Sequence, residues 1–524
     1  MKLWVVSMEC AGIAEAGGVK NVTYSLCKEF AGLKNKVTLF IPIFKCNQWD
    51  ILSEIKDLNL STEIELCGKK EKVSYTTAKC IKGNFDVVFI NNHRFADKEA
   101  VYTYTENEEK QNPNHRRGTG HEDLLYIDIL FQKAVAEYGT LVLRSEIPDI
   151  LHCQDAPVAC LPAFISLKKC FKKTQTVVTI HNAGPCYHHQ FSCLGEAAWY
   201  TGLHTELLEK SMNGKSVEPF LISANCGANL TTVSETYAQE LLNSENSKQT
   251  EGLAPIFAEK GIQIKGITNG FDFDRYNPSD RAASKLPFEF NPEKNDLDGK
   301  LKCRKFFIQN IVNTDNYDTA GINKFGKLEC STEFIKETYI FYHGRITSQK
   351  GISVLTAAIP AIIENYQNVR FVIAGHGESV LELEIIALTE KYPGKITFMC
   401  GYNQAVVRIA TAACDFIVLP SFFEPCGLED FIGQCYGTIP VAHRTGGLNK
   451  IEDGKTGFLY QNNTPEGLAA ALSEIITIKE LKPGVINKMI KAAALSVHQK
   501  YYWKNVIQKK YLPFFKDILK NSKN

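Results

Sequence analysis

The densest chemical signal in the chain is Ser421-Phe422-Phe423-Glu424-Pro425-Cys426-Gly427-Leu428-Glu429, set between an apolar run and a helical pattern. A carboxylate in such a loop accepts hydrogen bonds from sugar or ribose hydroxyls. The N–H groups of Cys426, Gly427 and Leu428 can meet an anion or a hydroxyl at a helix start. Arg444-Thr445-Gly446-Gly447-Leu448 is a second element of this kind. Upstream, Gly344-Arg345-Ile346-Thr347-Ser348-Gln349-Lys350-Gly351 sets two cations five residues apart between glycines. That spacing suits a diphosphate, with Arg345 binding two oxygens and Lys350 acting as a point charge; a solvated loop fits it equally well. Near the start, Glu9-Cys10-Ala11-Gly12-Ile13-Ala14-Glu15-Ala16-Gly17-Gly18 brings consecutive glycines to a helix start. Its N–H groups can approach a phosphate or sugar closely, although a tight turn explains the glycines too. His181 and Asp155 each close a strand-like run. Either alone reads as structural, and their common placement at strand ends makes them candidates.

Two motifs raise the question of a metal. Cys186-Tyr187-His188-His189-Gln190-Phe191-Ser192-Cys193 packs four possible ligands into eight residues. Zinc sites use more widely separated pairs, and adjacent histidines seldom point at one ion, so a structural zinc is not expected there. Asp272-Phe273-Asp274 is similar to a metal-binding Asp-x-Asp, but it follows no clear strand and reads as a turn after Asn269-Gly270.

The elements that must position these residues alternate strand and helix. Apolar runs at 4–6, 37–41, 85–90, 149–151, 176–180 and 229–233 read as strands, most of them followed by a helical pattern. A polar stretch at 279–329, with a helix over 301–311, interrupts the alternation. It restarts at 339–342, 369–374, 395–399, 416–419 and 439–442. Alternation of this kind implies parallel β-α-β units, hence two α/β lobes. The lobes are expected over 1–262 and 263–500, with a helix over 501–524. Open parallel sheets bind ligands beyond the carboxyl ends of their strands, and two lobes facing each other would make a deep cleft.

Composition narrows the partners. Over 524 residues, 59 Lys and Arg against 58 Asp and Glu leave a net charge of +1, which gives no electrostatic reason to bind nucleic acid or an anionic membrane. No apolar window reaches the roughly 18 residues of a membrane span. Residues 1–9 read as a buried first strand rather than a secretory signal. The 17 cysteines are scattered without a Cys-x-x-Cys pair, which fits a reduced, cytoplasmic chain.

Taken together and in this order, the motifs resemble the bacterial glycogen and starch synthases, glycosyltransferase family five. Residues 423–428 match that family's Phe-Glu-Pro-Cys-Gly-Leu, 444–448 its Arg-Thr-Gly-Gly-Leu, and 344–351 are similar to its Gly-Arg-Leu-x-x-Gln-Lys-Gly. Thr179 to Asn182, Thr232 to Ser234, Asn269-Gly270 and Asn277-Pro278 carry further likeness. The resemblance implies a GT-B fold, two Rossmann-like lobes with parallel sheets facing across a cleft. It implies retaining transfer of glucose from a nucleoside diphosphate glucose, ADP-glucose ahead of UDP-glucose, to the non-reducing 4-hydroxyl of glycogen or another α-1,4-glucan. It implies neither a metal nor a cofactor. By the same resemblance, Glu424 holds glucose hydroxyls, His181 offers its backbone carbonyl beside the anomeric carbon, and Asp155 supports the site. Gly18, Arg345, Lys350, Tyr402, Cys426, Gly427, Leu428 and Thr445 bind the donor, with Tyr102 and Asn269 on the donor side and Tyr402 stacked on the base. The terminal helix, with Trp503 at the family's aromatic position, crosses back onto the first lobe.

Four segments depart from the family. Glu15 stands where a Lys is usual, and Lys20 lies five residues further on. Gln154-Asp155-Ala156-Pro157 replaces His-Asp-Trp-His, Ala183 to Tyr187 replaces Leu-Ala-Tyr-Gln-Gly, and Glu429 replaces Thr. These changes motivate two alternatives: a GT-B enzyme with a small non-glucan acceptor, and a non-catalytic glucan-binding homologue.

Overall fold

A computed structural model describes residues 1–329 and 336–521 and divides the chain into two compact units, Met1–Asn269 with Trp503–Asn524, and Gly270–Tyr502. In the first unit the strands are β1 (Lys2–Val6), β2 (Lys36–Pro42), β3 (Leu52–Leu66), β4 (Lys69–Cys80), β5 (Phe85–Asn91), β6 (Ile150–Gln154), β7 (Gln175–Ile180), the short hairpin β8 (Met212–Asn213) and β9 (Ser216–Val217), β10 (Asn229–Thr232) and β11 (Ile264–Gly266). Nine of them form one sheet in the order β11-β10-β7-β6-β1-β2-β5-β4-β3. It is parallel from β11 to β5 and antiparallel where β4 and β3 extend it. Leu3 to Val6 are all buried, as a parallel strand covered on both faces requires.

The chain crosses to the second unit after Asn269 rather than after Ile262. An earlier division would detach β11, which pairs in parallel with β10. From Trp503 the chain rejoins the first unit. There Phe515 stacks on Phe30 of the helix Val19–Gly32 with ring centroids 5.2 Å apart, and it meets His152 of β6 edge-on.

The second unit holds β12 (Ile322–Phe325), β13 (Thr338–His343), β14 (Val369–Gly375), β15 (Ile396–Gly401), β16 (Phe416–Leu419), β17 (Ile439–His443) and β18 (Phe458–Tyr460). Their order is β12-β15-β14-β13-β16-β17-β18, parallel except for β12. Alternate residues feed two cores. Phe341, Val372, Met399 and Ile417 pack on one face, and Ile340, Phe371, Phe398 and Phe416 on the other.

The polar stretch 279–329 is built into this unit rather than looped out of it. The helix Asp298–Phe306 continues as a wider turn over Phe307–Val312, and Ile308, Ile311 and Val312 are buried. Lys300 is buried, and its ammonium donates to the carbonyls of Ala412, Cys414 and Tyr436 and to Thr438 Oγ1 at 2.7–3.1 Å. Burial pulls its pKa down to about 7. Lys300→Met removes all four of these bonds from a buried cluster, in which, among the described residues, only the Cys414 carbonyl and the Thr438 hydroxyl keep another one, a loss that exceeds the relief of desolvation. The expected outcome is a fall of about 3 kcal/mol in unfolding free energy, read from the denaturant midpoint.

Candidate active site

In the first unit, β1 delivers Glu9 to the glycine-rich loop. The carboxylate is buried and accepts N–H bonds from Gly17 at 2.6 Å and Ala16 at 3.2 Å. Two of the loop N–H groups, those of Ala16 and Gly17, are therefore bonded to Glu9, and a Cβ on Gly17 would lie 3.1 Å from its Oε1. Burial raises Glu9 to about 6 against these bonds. Tyr102 donates its hydroxyl to Glu9 Oε1 at 3.5 Å. A Cβ on Gly18, by contrast, would meet nothing within 4 Å. Glu15 is exposed and folds back on its own loop: it accepts the Gly12 N–H at 2.8 Å and pairs with Lys20 at 3.0 Å. The charge that departs from the family is thus balanced locally by Lys20.

Asp155 ends β6 with φ 72° and ψ −179°, a backbone conformation that is essentially glycine's own and costs on the order of 1–3 kcal/mol. The strained turn sets its carboxylate under the end of β7, where Oδ1 accepts the His181 N–H at 3.1 Å. Burial drives Asp155 up to about 7, and the N–H groups of His181, Asn182 and Ala156, with His189, only partly oppose it. Burial also pulls His181 down to about 3, so the imidazole is neutral, and its Nε2 lies 2.9 Å from Gln154 Oε1.

The adjacent histidines diverge. His188 Nδ1 pairs with Glu218 at 2.7 Å, while His189 Nδ1 pairs with Asp128 at 2.6 Å. Burial works against a charge on His189, and Asp128 overrides it and holds the ring above its usual range. Cys186 and Cys193 are exposed, and this segment does not gather a metal-ligand group among the described residues. Asp272 and Asp274 flank and begin a one-turn helix, Phe273–Tyr276, rather than a simple turn, and Asp274 accepts from Tyr502. Asn269 closes the first unit; its N–H reaches Val233, and its buried Oδ1 has no hydrogen-bond partner among the described residues.

In the second unit the residues expected on the donor side collect at the carboxyl ends of β13, β15, β16 and β17. Gly344, at φ 155°, lets the chain leave β13, and Gly351 carries no Cβ because one would lie 1.9 Å from the Pro420 carbonyl. That contact holds the Lys350 turn against the loop after β16. Lys350 Nζ sits 2.5 Å from Glu424 Oε2, which also accepts from Ser421 Oγ at 3.2 Å. Burial opposes the charge on Glu424, but Lys350 prevails and keeps the carboxyl below its usual range. Lys350 is thus committed to Glu424. Arg345 is exposed and has no ion-pair partner among the described residues, which leaves it available for a diphosphate.

The neighbouring loops hold this pair in place. Gly447 donates to the Glu424 carbonyl at 2.7 Å, and a Cβ there would strike Cys426. Thr445 Oγ1 donates to the Phe422 carbonyl at 3.3 Å. Lys450 pairs with buried Asp430 at 2.9 Å and donates to the carbonyls of Cys426 and Gly427. Gly427 has φ 76°, and Leu428 caps the short helix Glu429–Cys435. Glu429 meets His343 Nδ1 at 2.8 Å, and the His343 ring stacks at 6.3 Å on Tyr402, which is 61 % exposed. Sequence reasoning gives no site role to Glu9, Asp128, His189, Asp430 and Lys450. A buried charge shows itself only through its partner, and the motifs that hold Glu9 and His189 draw attention to their glycines and to metal ligation instead.

Residues 2–258 match the family described as the starch synthase catalytic domain, and residues 337–477 match glycosyl transferases group 1. The chain belongs to the glycogen and starch synthase family. It is therefore a glycosyltransferase that transfers a hexose. The glycogen synthase of Thermodesulfovibrio yellowstonii is 28 % identical over 550 residues, covering 99 % of this chain and 98 % of its own. That of Vibrio atlanticus is 26 % identical, covering 97 % of each. Among solved structures, the catalytic domain of starch synthase IV from Arabidopsis thaliana, bound to ADP and acarbose, aligns with a TM-score of 0.79 at 23 % identity over 99 % of each chain. Sucrose-phosphate synthase from Thermosynechococcus elongatus aligns at 0.55 and 15 % identity. These likenesses establish the GT-B fold of this family member. No helix among the described residues is long and apolar enough to cross a membrane.

Proposed function

We propose that this synthase-family enzyme transfers glucose, with retention, from ADP-glucose to the non-reducing 4-hydroxyl of an α-1,4-glucan such as glycogen. The observation that carries the reading is the Glu424–Lys350 pair at the ends of β13 and β16, with Arg345 exposed beside it. In this reading Glu424, held ionised, accepts the transferred glucose's hydroxyls. Arg345 neutralises the leaving diphosphate, and Tyr402 stacks on the base. The N–H groups of Cys426, Gly427 and Leu428 face the donor, with Thr445 bracing their loop. In the first unit the His181 carbonyl stabilises the oxocarbenium-like transition state, Asp155 holds the His181 backbone, and Gly18 leaves room for the donor. Tyr102 acts through Glu9, and Asn269 offers its buried amide oxygen on the donor side. The Arabidopsis starch synthase IV structure, bound to ADP, supports adenosine over uridine as the donor nucleoside. Glycogen-dependent release of nucleoside diphosphate, run in parallel on ADP-glucose and UDP-glucose, tests the reading. Release from ADP-glucose that requires glycogen supports it. Turnover with small acceptors and none with glycogen overturns the acceptor.

Asp155 adds a pH dependence. With its carboxyl raised to about 7, it is neutral below that pH and ionised above it. The ionised form stabilises positive charge in the transition state, so kcat/KM falls on the acid side with a midpoint near 7. Asp155→Asn is expected to lower the alkaline plateau about tenfold and to remove that limb. A pH profile of both forms checks it.

A further inference from the structure

Behind the loops carrying Tyr402 and Arg345, three side chains of different chemistry come together. Cys400 lies near the end of β15, directly opposite Gly375 of β14. His376 follows Gly375, and Glu382 stands in the first turn of the helix Ser379–Lys391. A ring nitrogen of His376, a Glu382 carboxylate oxygen and the Cys400 Sγ all lie within 4.8 Å of one another. The carboxylate is fixed between two donors, His376 Nδ1 at 2.9 Å and the Gly377 N–H at 2.7 Å.

We propose that His376, Glu382 and Cys400 form a site for a divalent transition-metal ion of borderline softness, Zn2+ in the first instance. Imidazole nitrogen, carboxylate oxygen and thiolate sulfur are that ion's preferred ligands, at roughly 2.0–2.3 Å. Two ligands on one such ion stand no more than about 4.4 Å apart, so the present spread closes by small side-chain rotations. On binding, the thiol gives its proton to solvent and sulfur takes the metal as its partner, while the neutral His376 ring carries its one proton on the nitrogen that does not face the ion. His376 is 65 % exposed, which leaves the outer side of the ion open to water as a fourth, exchangeable ligand. The ion therefore binds labilely rather than as a folding staple.

The arrangement does not suit nucleophilic or redox chemistry. The carboxylate bonds the histidine and lies against the thiol, and its negative charge opposes a thiolate. Burial and the Glu382 charge push the thiol up to about 11, away from the reactive thiolate. Position gives a bound ion a consequence. Cys400 is two residues from Tyr402, and a Cβ on Gly375 would lie 1.9 Å from the Gly344 carbonyl. An ion here ties together the strand ends from which both loops spring.

The test uses the full chain with Cys186→Ser and Cys193→Ser, which removes the two cysteines that are exposed among the described residues as background ligands. Chelator-stripped protein is titrated with Zn2+ against a chromophoric chelator, and separately with Co2+ to read the thiolate-to-metal absorption band. One equivalent and a thiolate band are expected. Cys400→Ser should remove the band and that equivalent, and His376→Ala, at an exposed position that does not threaten folding, should weaken binding at least tenfold. Absence of the equivalent in the parent, or unchanged binding in either variant, overturns the proposal.

Discussion

Glu424→Gln lowers kcat with glycogen by about 10²–10³-fold, the loss typical of one charged group placed against a transition state. The amide keeps the shape of the side chain and its bond to Ser421, but it discards the charge that Lys350 faces at 2.5 Å. Two effects then add. The bound glucose loses a strong acceptor for its hydroxyls, and the ammonium of Lys350 is left without its counter-charge. The second effect frees that ammonium to attract the diphosphate, so the donor KM should fall or stay level while kcat collapses. A split of this kind separates a direct role from mere loosening of the loop, which would raise KM. Initial rates over a range of ADP-glucose concentrations, with a denaturant midpoint as the folding control, provide the check.

Lys350→Met should cut kcat/KM for the donor about 100-fold. Here the reasoning runs through the partner. Without Lys350, burial is unopposed at Glu424 except by Lys450 and Ser421, and the carboxyl rises toward neutrality. Activity of the variant should therefore acquire a second acid-side ionisation beyond that of Asp155, so that its acid limb is steeper than the parent's, since protonation silences Glu424. The double variant with Glu424→Gln should be little worse than Glu424→Gln alone, with a coupling above about 1 kcal/mol, because each change removes the same pair. Additive losses would show that the two side chains act separately.

The strand ends were legible because buried parallel strands leave continuous apolar runs, as at Trp4 to Val6 and Phe416 to Leu419. The loops after them announced themselves through glycines that no other residue replaces, such as Gly351 and Gly447. Other parts were not legible. The long β3–β4 hairpin escaped notice because Lys and Glu fill its exposed positions and only scattered residues such as Ile64, Val73 and Tyr75 face inward. Glu9 sits in plain view beside the glycine loop, yet only the fold shows that its carboxylate occupies the loop N–H groups. Lys20 was an ambiguous compensation for Glu15 until the helix facing brought the two together. Lys300 and Arg304 lie in a stretch whose composition marks it as polar; their burial depends on carbonyls more than a hundred residues away. Local pattern reports which residues prefer the interior, whereas a buried charge is explained only by its distant partner.

The packing of Phe515 and Tyr511 against Phe30 and His152 bears on how the protein is made. The first unit is begun by residues made before the second unit and completed by residues made after it. At about 5–20 residues per second, translation of the intervening second unit takes on the order of ten seconds or more. Throughout that interval the face of Phe30 that the terminal helix will cover has no cover of its own. The nascent chain must carry an open seam until the stretch from Trp503 onward emerges, which makes that stretch the step that closes a vulnerable intermediate.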